Sequence, residues 1–153
     1  MKAVYTSPLE RAVETAEPIA RRHGLDPQRV DALGEMRLGE WEGLTFAELE
    51  HLEERRRFNA FRSGVRAPGG ELMLETQVRM IQQLDCLHLR HSDDTIAVIG
   101  HADPLRAVIA HFLGMPLDLM LRVEISPASV SVVRMGEWAS HVICLNDTGG
   151  VPA

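Results

Sequence analysis

A short apolar run that ends in a glycine and a histidine constrains the fold of this chain more than any other feature. Residues 96–99 (Ile-Ala-Val-Ile) contain no polar side chain, which predicts a strand covered on both faces. Gly100 lets the backbone turn, and His101 follows at the carboxyl end of the strand. Asp103 and Pro104 are typical of the N-cap and first position of a helix. His101 is therefore expected beside a helix N-terminus, a place that favours a phosphate or a carboxylate.

A second junction of the same kind opens the chain. Residues 3–6 are expected to form a short strand, and residues 7–10 (Ser-Pro-Leu-Glu) predict a capping box with proline at the first helical position. The helix is expected to run to about Arg22. Because helical side chains lean toward the N-terminus, Arg11 in the first turn is expected to reach the sheet end that His101 approaches.

The rest of the chain alternates helical and strand patterns. Residues 25–43 show no sustained period and are expected to form a long loop. A capping box at residues 45–48 predicts a helix to about Phe61, and a longer helix is predicted over 71–91. Strands are predicted over 123–125, 130–134 and 141–145. This order predicts a three-layer α/β/α domain with a mostly parallel sheet, in which ligands bind at the carboxyl ends of strands.

Composition excludes several functional classes. The 153 residues, 45% of them hydrophobic and 25% charged, are expected to form a single domain over residues 1–153. A formal net charge of -6 without a basic stripe argues against nucleic acid as the main partner. We find no signal peptide pattern and no apolar run long enough for a membrane, so we expect a cytoplasmic protein. The histidines lack ligand spacing, and we expect neither a metal nor a cofactor.

Four blocks of the sequence resemble, in the same order, those of the histidine phosphatase (phosphoglycerate mutase-like) superfamily. They are Ser-Pro-Leu-Glu-Arg-Ala at 7–12, Leu-Gly-Glu leading into Gly-Glu-Trp-Glu-Gly at 33–43, Pro-Gly-Gly-Glu at 68–71, and Gly-His-Ala-Asp-Pro-Leu-Arg at 100–106. The last block has Ala-Asp where many members have Gly-Gly. No single block would be specific, but four in order make the resemblance strong. It implies a fold of the phosphoglycerate mutase type.

The resemblance also implies phosphoryl transfer through a phosphohistidine, by a phosphatase or phosphomutase acting on a small phosphorylated substrate. Carried over by motif, Arg11 is a phosphate clamp, His101 the second histidine, and Glu35 the acid that protonates the leaving oxygen. Ser7 and Ala102 are expected to bind substrate beside them. These residue types suit the roles, because an arginine fork matches phosphate geometry and an imidazole can donate to developing charge.

Each of these residues also has a simpler explanation. His101 could be a structural histidine at the end of a strand, and Arg11 could be a solvated surface residue. Glu35 has Glu40 and Glu42 close by in the same expected loop, where a glutamate is most often only solvated. Convergence of Arg11, Glu35 and His101 on one site would favour the functional interpretation. Placement of His101 and Arg11 on opposite faces of the sheet would contradict it.

One sequence block of the family has no counterpart at the expected place in this chain. The family's nucleophilic histidine lies in an Arg-His-Gly block that precedes the strand that begins here near residue 2. Residues 22–24 spell Arg-His-Gly, but they follow a helix, where a glycine stop and cationic residues are expected. We therefore expect a domain truncated by its first strand and helix, impaired as an enzyme, and a homodimer that hides the open sheet edge. The alternative is a non-catalytic remnant that binds phosphate or a partner.

Overall fold

The computed structural model describes residues 1–149, apart from the side chain of Phe46. Its helices are α1 (Glu10–Arg22), α2 (Phe46–Glu50), α3 (Glu53–Ala60), α4 (Met73–Arg90) and α5 (Ala102–Phe112). Its strands are β1 (Ala3–Thr6), β2 (Gln28–Arg29), β3 (Ile96–Ile99), β4 (Val130–Met135) and β5 (Ser140–Asp147). No helix in this part of the chain is both long and apolar enough to cross a membrane.

Three parallel strands form the sheet that positions the candidate site. Their order is β2-β1-β3, and in the ladder between β1 and β3 Thr6 lies opposite Ile99. Because parallel strands point the same way, the residues that follow β1 and β3 emerge at the same edge of the sheet. Ser7 and His101 are therefore brought together by the topology.

Helices cover both faces of β1, which is buried along its length. Val4 packs against Ala16 of α1 on one face. On the other face, Tyr5 belongs to a cluster with Met80 of α4 and Val108 of α5. A parallel sheet between two layers of helices is the predicted three-layer α/β/α architecture, which is confirmed.

The loop predicted over residues 25–43 contains regular structure that the sequence did not predict. β2 lies within it and pairs in parallel with Tyr5 and Thr6. Two short 3₁₀ helices follow, at Asp31–Leu33 and Gly39–Trp41. Both residues of β2 are exposed, so no burial pattern marks this strand, which is defined by its backbone pairing alone.

Two other predicted elements also need correction. The capping box at Thr45 is present, but the helix that it starts ends at Glu50 and α3 begins only at Glu53. The segment predicted as a strand over 123–125 joins no β-ladder in the described chain. Its side chains at Val123 and Ile125 are buried as an alternating pattern requires. Alternating burial indicates an extended segment but does not show whether a neighbouring strand pairs with it.

The two helices at the sheet edge begin differently from the prediction. Leu9 is the N-cap residue of α1 and makes no side-chain cap, so the capping box predicted at Ser7 does not form. In α5 the N-cap residue is His101, and Asp103 lies inside the first turn instead of capping it. The polar side chains of Ser7 and Asp103 make tertiary contacts instead.

The hairpin of β4 and β5 forms a separate antiparallel sheet. Within residues 1–149 no strand pairs with the edge of β3 that faces away from β1, and β3 is only half-buried. The expectation that residues 96–99 are covered on both faces is thus met only in part. Several apolar side chains of the hairpin are exposed, among them Val132, Ile143 and Leu145.

Candidate functional site

Arg11, Glu35 and His101 come together at the carboxyl end of the parallel strands. Nη2 of Arg11 is 3.5 Å from Oε2 of Glu35, and Nδ1 of His101 is 3.7 Å from the same oxygen. Nε2 of His101 lies 2.8 Å from Oγ of Ser7, which is fully buried. Ala102 is the first residue of α5, so its backbone lies at the positive end of that helix dipole. The cluster combines a cation, a carboxyl group, an imidazole and a helix N-terminus, which is a suitable environment for a phosphoryl group.

Arg79 of α4 holds the loop that carries Glu35. Its Nη1 donates to the carbonyl of Ala32 at 2.7 Å, and its Nη2 donates to the carbonyl of Glu35 at 3.0 Å. The same Nη2 lies 2.8 Å from Oε1 of the buried Glu71, which also accepts from the Thr76 hydroxyl. Burial tends to raise the pKa of Glu71, but the hydrogen bonds from Arg79, Thr76 and the Arg37 N–H, together with the charge of Arg79, outweigh it and lower the pKa. No sequence motif marks Arg79, since its partners are distant in the chain.

The loop of Glu35 also docks directly on the Pro-Gly-Gly-Glu segment at 68–71. The Glu40 N–H donates to the Pro68 carbonyl at 2.8 Å, and the Glu71 N–H donates to the Arg37 carbonyl at 2.9 Å. Gly39 has a φ of 56°, and a Cβ there would collide with the Pro68 carbonyl. A glycine is required at this position because the two backbones are in contact. Two of the four sequence blocks thus form one rigid support for Glu35.

Of the three neighbouring glutamates in this loop, Glu35 is the one that contacts Arg11 and His101. Oε1 of Glu42 instead accepts from two backbone N–H groups at the start of the 3₁₀ turn over Gly39–Trp41. Glu40 is exposed on the surface. The geometry therefore favours Glu35 over its two neighbours as the acid of the cluster.

Burial shifts the protonation of both titratable groups at the centre of the cluster. It raises the pKa of Glu35, and the charge of Asp103 raises it further. It lowers the pKa of His101 to about 4, with smaller contributions from the positive charges of Arg11 and Arg79. His101 is therefore neutral at pH 7, and a raised pKa brings Glu35 closer to the range in which a carboxylic acid can donate a proton.

The free energy of unfolding is expected to decrease as the pH is lowered, because of His101. Unfolded histidine takes up a proton near pH 6.5 and the folded residue only near pH 4, so acid between these values favours the unfolded state. The loss reaches at most about 3 kcal/mol at pH 4. Urea unfolding from pH 4 to 7.5 should show a steeper fall for the wild type than for His101→Gln. His23→Gln, which changes an exposed histidine, should keep the wild-type slope, and parallel curves for wild type and His101→Gln would contradict the assignment.

Two arginines neutralise Asp103, the residue that stands where many members of the family have glycine. Nη1 of Arg62 is 2.9 Å from Oδ2 of Asp103, and Nη1 of Arg106 is 2.9 Å from Oδ1. Arg62 is buried and its guanidinium lies 4.3 Å from the ring centroid of Phe58. Arg106 also donates to the Val123 carbonyl at 2.9 Å. The two arginines offset the negative charge that Asp103 places at the α5 N-terminus.

The Arg-His-Gly tripeptide at residues 22–24 lies far from this cluster. His23 is the exposed C-cap residue of α1, and Gly24 follows with a φ of 66°. Arg11 and His23 are 12 positions apart in the sequence, so a helical rise of 1.5 Å per residue separates them by about 18 Å. The structure places His23 at the opposite end of α1 from the site.

Comparison with known proteins gives a consistent result. Residues 1–148 match the family model of the histidine phosphatase superfamily (branch 1). The chain is 30% identical over 150 residues to phosphoserine phosphatase 1 of Hydrogenobacter thermophilus, covering 97% of this chain and 71% of that protein. It is 33% identical over 149 residues to the bifunctional protein Rv2228c of Mycobacterium tuberculosis, which matches 96% of this chain. The chain spans only 41% of the length of that mycobacterial relative.

Solved structures agree with the sequence comparison. YhfR of Bacillus stearothermophilus superposes with a TM-score of 0.89 at 26% identity, covering 96% of this chain and 74% of that one. A mycobacterial glucosyl-3-phosphoglycerate phosphatase in complex with inorganic phosphate shares the fold, with a TM-score of 0.80 at 22% identity over 95% of this chain and 76% of the other. The four sequence blocks, the fold and these matches together show that the chain belongs to the histidine phosphatase superfamily.

Proposed function

We propose that Arg11, Glu35 and His101 bind the phosphoryl group of a small phosphomonoester and serve its transfer, in a phosphatase or phosphomutase reaction. The convergence of these three side chains, with Glu35 contacting both Arg11 and His101, is the observation that carries the proposal. Arg11 would hold phosphoryl oxygens, and neutral His101 would donate to a third oxygen as charge develops. Protonated Glu35 would give its proton to the leaving oxygen.

Relatives support a phosphatase acting on small molecules. The relative from Hydrogenobacter thermophilus is named as a phosphoserine phosphatase. Another, 30% identical over 125 residues and covering 75% of this chain and 55% of its own length, is a glucosyl-3-phosphoglycerate phosphatase of Mycolicibacterium vanbaalenii. The net charge of -6 means that the substrate must be attracted by the local cations and not by the protein as a whole.

The nucleophile is the part of the reaction that these residues do not supply. His101 is the one histidine of the cluster in the described part of the chain, and it contacts Ser7 and Glu35. A phosphohistidine route needs a second imidazole in line with the phosphorus. We propose that this group comes from outside these 153 residues, and that the chain alone is an impaired enzyme. The lone histidine also favours the second candidate, a phosphate- or partner-binding protein without turnover.

Phosphate binding tests the proposed site without requiring catalysis. We expect inorganic phosphate and vanadate to bind weakly, as measured by calorimetry. Arg11→Met should weaken binding about tenfold to a hundredfold, because it removes a charge-assisted hydrogen-bond donor. Arg22→Met is the matched control, since Arg22 is an exposed arginine at the other end of α1. Equal effects of the two variants, or none from Arg11→Met, would contradict the assignment of the site.

We also propose that the chain is a homodimer, by direct contact or by exchange of a segment. The open edge of β3 and the exposed apolar face of the hairpin support this, because soluble proteins seldom leave such surfaces uncovered. Light scattering should give a molar mass twice that of the monomer. The variant Val132→Lys should lower this mass toward that of the monomer. Leu89→Lys is the control, since Leu89 is an exposed apolar side chain of α4. A stable wild-type monomer would rule the proposal out.

A further inference from the structure

A hydroxyl, an imidazole and a carboxyl group lie side by side in a row at the candidate site. Ser7 Oγ is 2.8 Å from Nε2 of His101, and Glu35 Oε2 is 3.7 Å from Nδ1 of the same ring. These are the three groups of a serine hydrolase triad, yet Ser7 is fully buried whereas the Glu35 side chain is 34% exposed. A fully buried hydroxyl is not placed to attack a substrate, and the side chain that Ser7 contacts is the imidazole of His101.

The hydrogen bonds of Ser7 decide which nitrogen of His101 carries the proton. A hydroxyl has one hydrogen to donate and two positions that accept. Ser7 Oγ already accepts from the Leu9 N–H at 3.3 Å. If Nε2 of His101 were the protonated nitrogen, Ser7 would accept twice, and its own buried hydrogen would have no acceptor among the described residues. A buried donor without a partner costs free energy, which disfavours this tautomer.

We infer that Ser7 is a positioning residue whose hydroxyl donates to Nε2 of His101 and thereby holds the neutral ring with its proton on Nδ1. Every hydrogen-bonding group of Ser7 is then satisfied. The Nδ1–H is directed to the side of the ring where Glu35 and Arg11 lie, 3.5 Å from each other. Burial lowers the pKa of His101 to about 4, so the neutral ring is the form present at pH 7.

The consequence for function rests on the proposed phosphoryl site. A phosphoryl oxygen held by Arg11 would receive the Nδ1–H of His101 as a ready donor, without rotation or a proton shift. A free imidazole side chain in water favours the proton on Nε2. Without Ser7 the ring would therefore offer the wrong tautomer to the ligand in part of the molecules, and binding would weaken.

Nitrogen-15 NMR of the imidazole measures the tautomer directly. The 153-residue chain, labelled with 15N in its histidines, should show protonated Nδ1 and unprotonated Nε2 for His101 at pH 7.5, with the signals assigned by their loss in His101→Gln. Ser7→Ala should shift the ring toward the Nε2–H form. Ser7→Thr keeps the hydroxyl and should preserve the wild-type tautomer.

Thr6→Val is the matched control for a lost hydroxyl. Thr6 is also fully buried, but its hydroxyl donates to the Ser7 carbonyl and not to His101. Its variant should keep the Nδ1–H form. A wild-type ring protonated on Nε2 would overturn the inference even if no variant folds. Equal tautomers in wild type and Ser7→Ala would overturn it as well.

Phosphate titration of the same samples separates this inference from the proposed function. Ser7→Ala should weaken phosphate binding about threefold to tenfold, and Thr6→Val should not change it. If the wild type shows the Nδ1–H form but binds no phosphate, the positioning role of Ser7 stands and the phosphoryl site is wrong. If phosphate binds equally to wild type and Ser7→Ala, the tautomer has no part in recognition and the functional consequence is overturned.

Discussion

Arg79→Met is expected to lower the free energy of unfolding by about 3 kcal/mol, because it removes the closer and less exposed of the two arginines that pair with the buried carboxylate of Glu71. The side chain of Glu71 is only 3% exposed, and Arg79 also satisfies the carbonyls of Ala32 and Glu35. The Thr76 hydroxyl and the Arg37 N–H still donate to Glu71, and the exposed guanidinium of Arg37 still pairs with it, which keeps the loss at the lower end of the range for a broken buried pair. For a domain of this size the melting temperature should fall by roughly 6 to 12 °C.

Arg66→Met is the matched control for this prediction. Arg66 also pairs with a glutamate, with its Nη2 3.1 Å from Oε1 of Glu75, but both side chains are half exposed. Water screens such a pair, so the variant should cost less than about 1 kcal/mol. The double variant Arg79→Met/Glu71→Gln should recover part of the loss, since the buried carboxylate charge is removed together with the arginine. Equal destabilisation by Arg79→Met and Arg66→Met would show that burial of Glu71 does not matter.

Elements with a strong local pattern were predictable from the sequence. The helix predicted to end at about Arg22 ends there, and the helix predicted over 71–91 is observed as α4, Met73–Arg90. Both have an apolar face at helical spacing, and α1 is also followed by a glycine stop; these signals act locally. β2 has neither, since it consists of two exposed residues that are held only by pairing with β1.

Polar residues near helix starts were harder to interpret. Ser7 and Asp103 suit a helix cap by residue type, and the sequence predicts that role for both. In the folded chain Ser7 contacts His101, 94 positions away, and Asp103 pairs with Arg62, 41 positions away. Capping is a local preference worth about 1 kcal/mol, and a tertiary hydrogen bond to a charged or buried group competes with it.

Only part of the candidate site could be predicted from the sequence. Motifs pointed to Arg11, Glu35 and His101, and the fold brings these side chains together. Arg79 carries no such motif, because it acts by binding backbone carbonyls of a loop 44 positions away. Supporting residues of this kind are defined by geometry that only the folded chain contains.

Of the functional effects, the largest is expected in the turnover rate, from the lack of a covalent nucleophile. Catalytic residues act as a unit, so loss of the covalent nucleophile removes nearly all of the rate even when the groups that bind phosphate remain. We therefore expect the 153-residue chain to hydrolyse an aryl phosphate at little above background. If an Arg-His-Gly block is encoded upstream of Met1, a chain extended by it should be faster by roughly a thousandfold or more. The extended chain should also form an acid-labile phosphoenzyme.

The most direct test of this account is steady-state hydrolysis of p-nitrophenyl phosphate by the 153-residue chain, beside His101→Ala and His23→Ala. All three are expected to remain close to background, with phosphate binding lost only in His101→Ala. Robust turnover that His23→Ala abolishes would show that the tripeptide at the end of α1 holds the nucleophile. Robust turnover that persists in His23→Ala would contradict the expected impairment of this chain. A phosphohistidine found at His101 during that turnover would show that His101 is itself the nucleophile, and would contradict its assignment as a hydrogen-bond donor to the phosphoryl group.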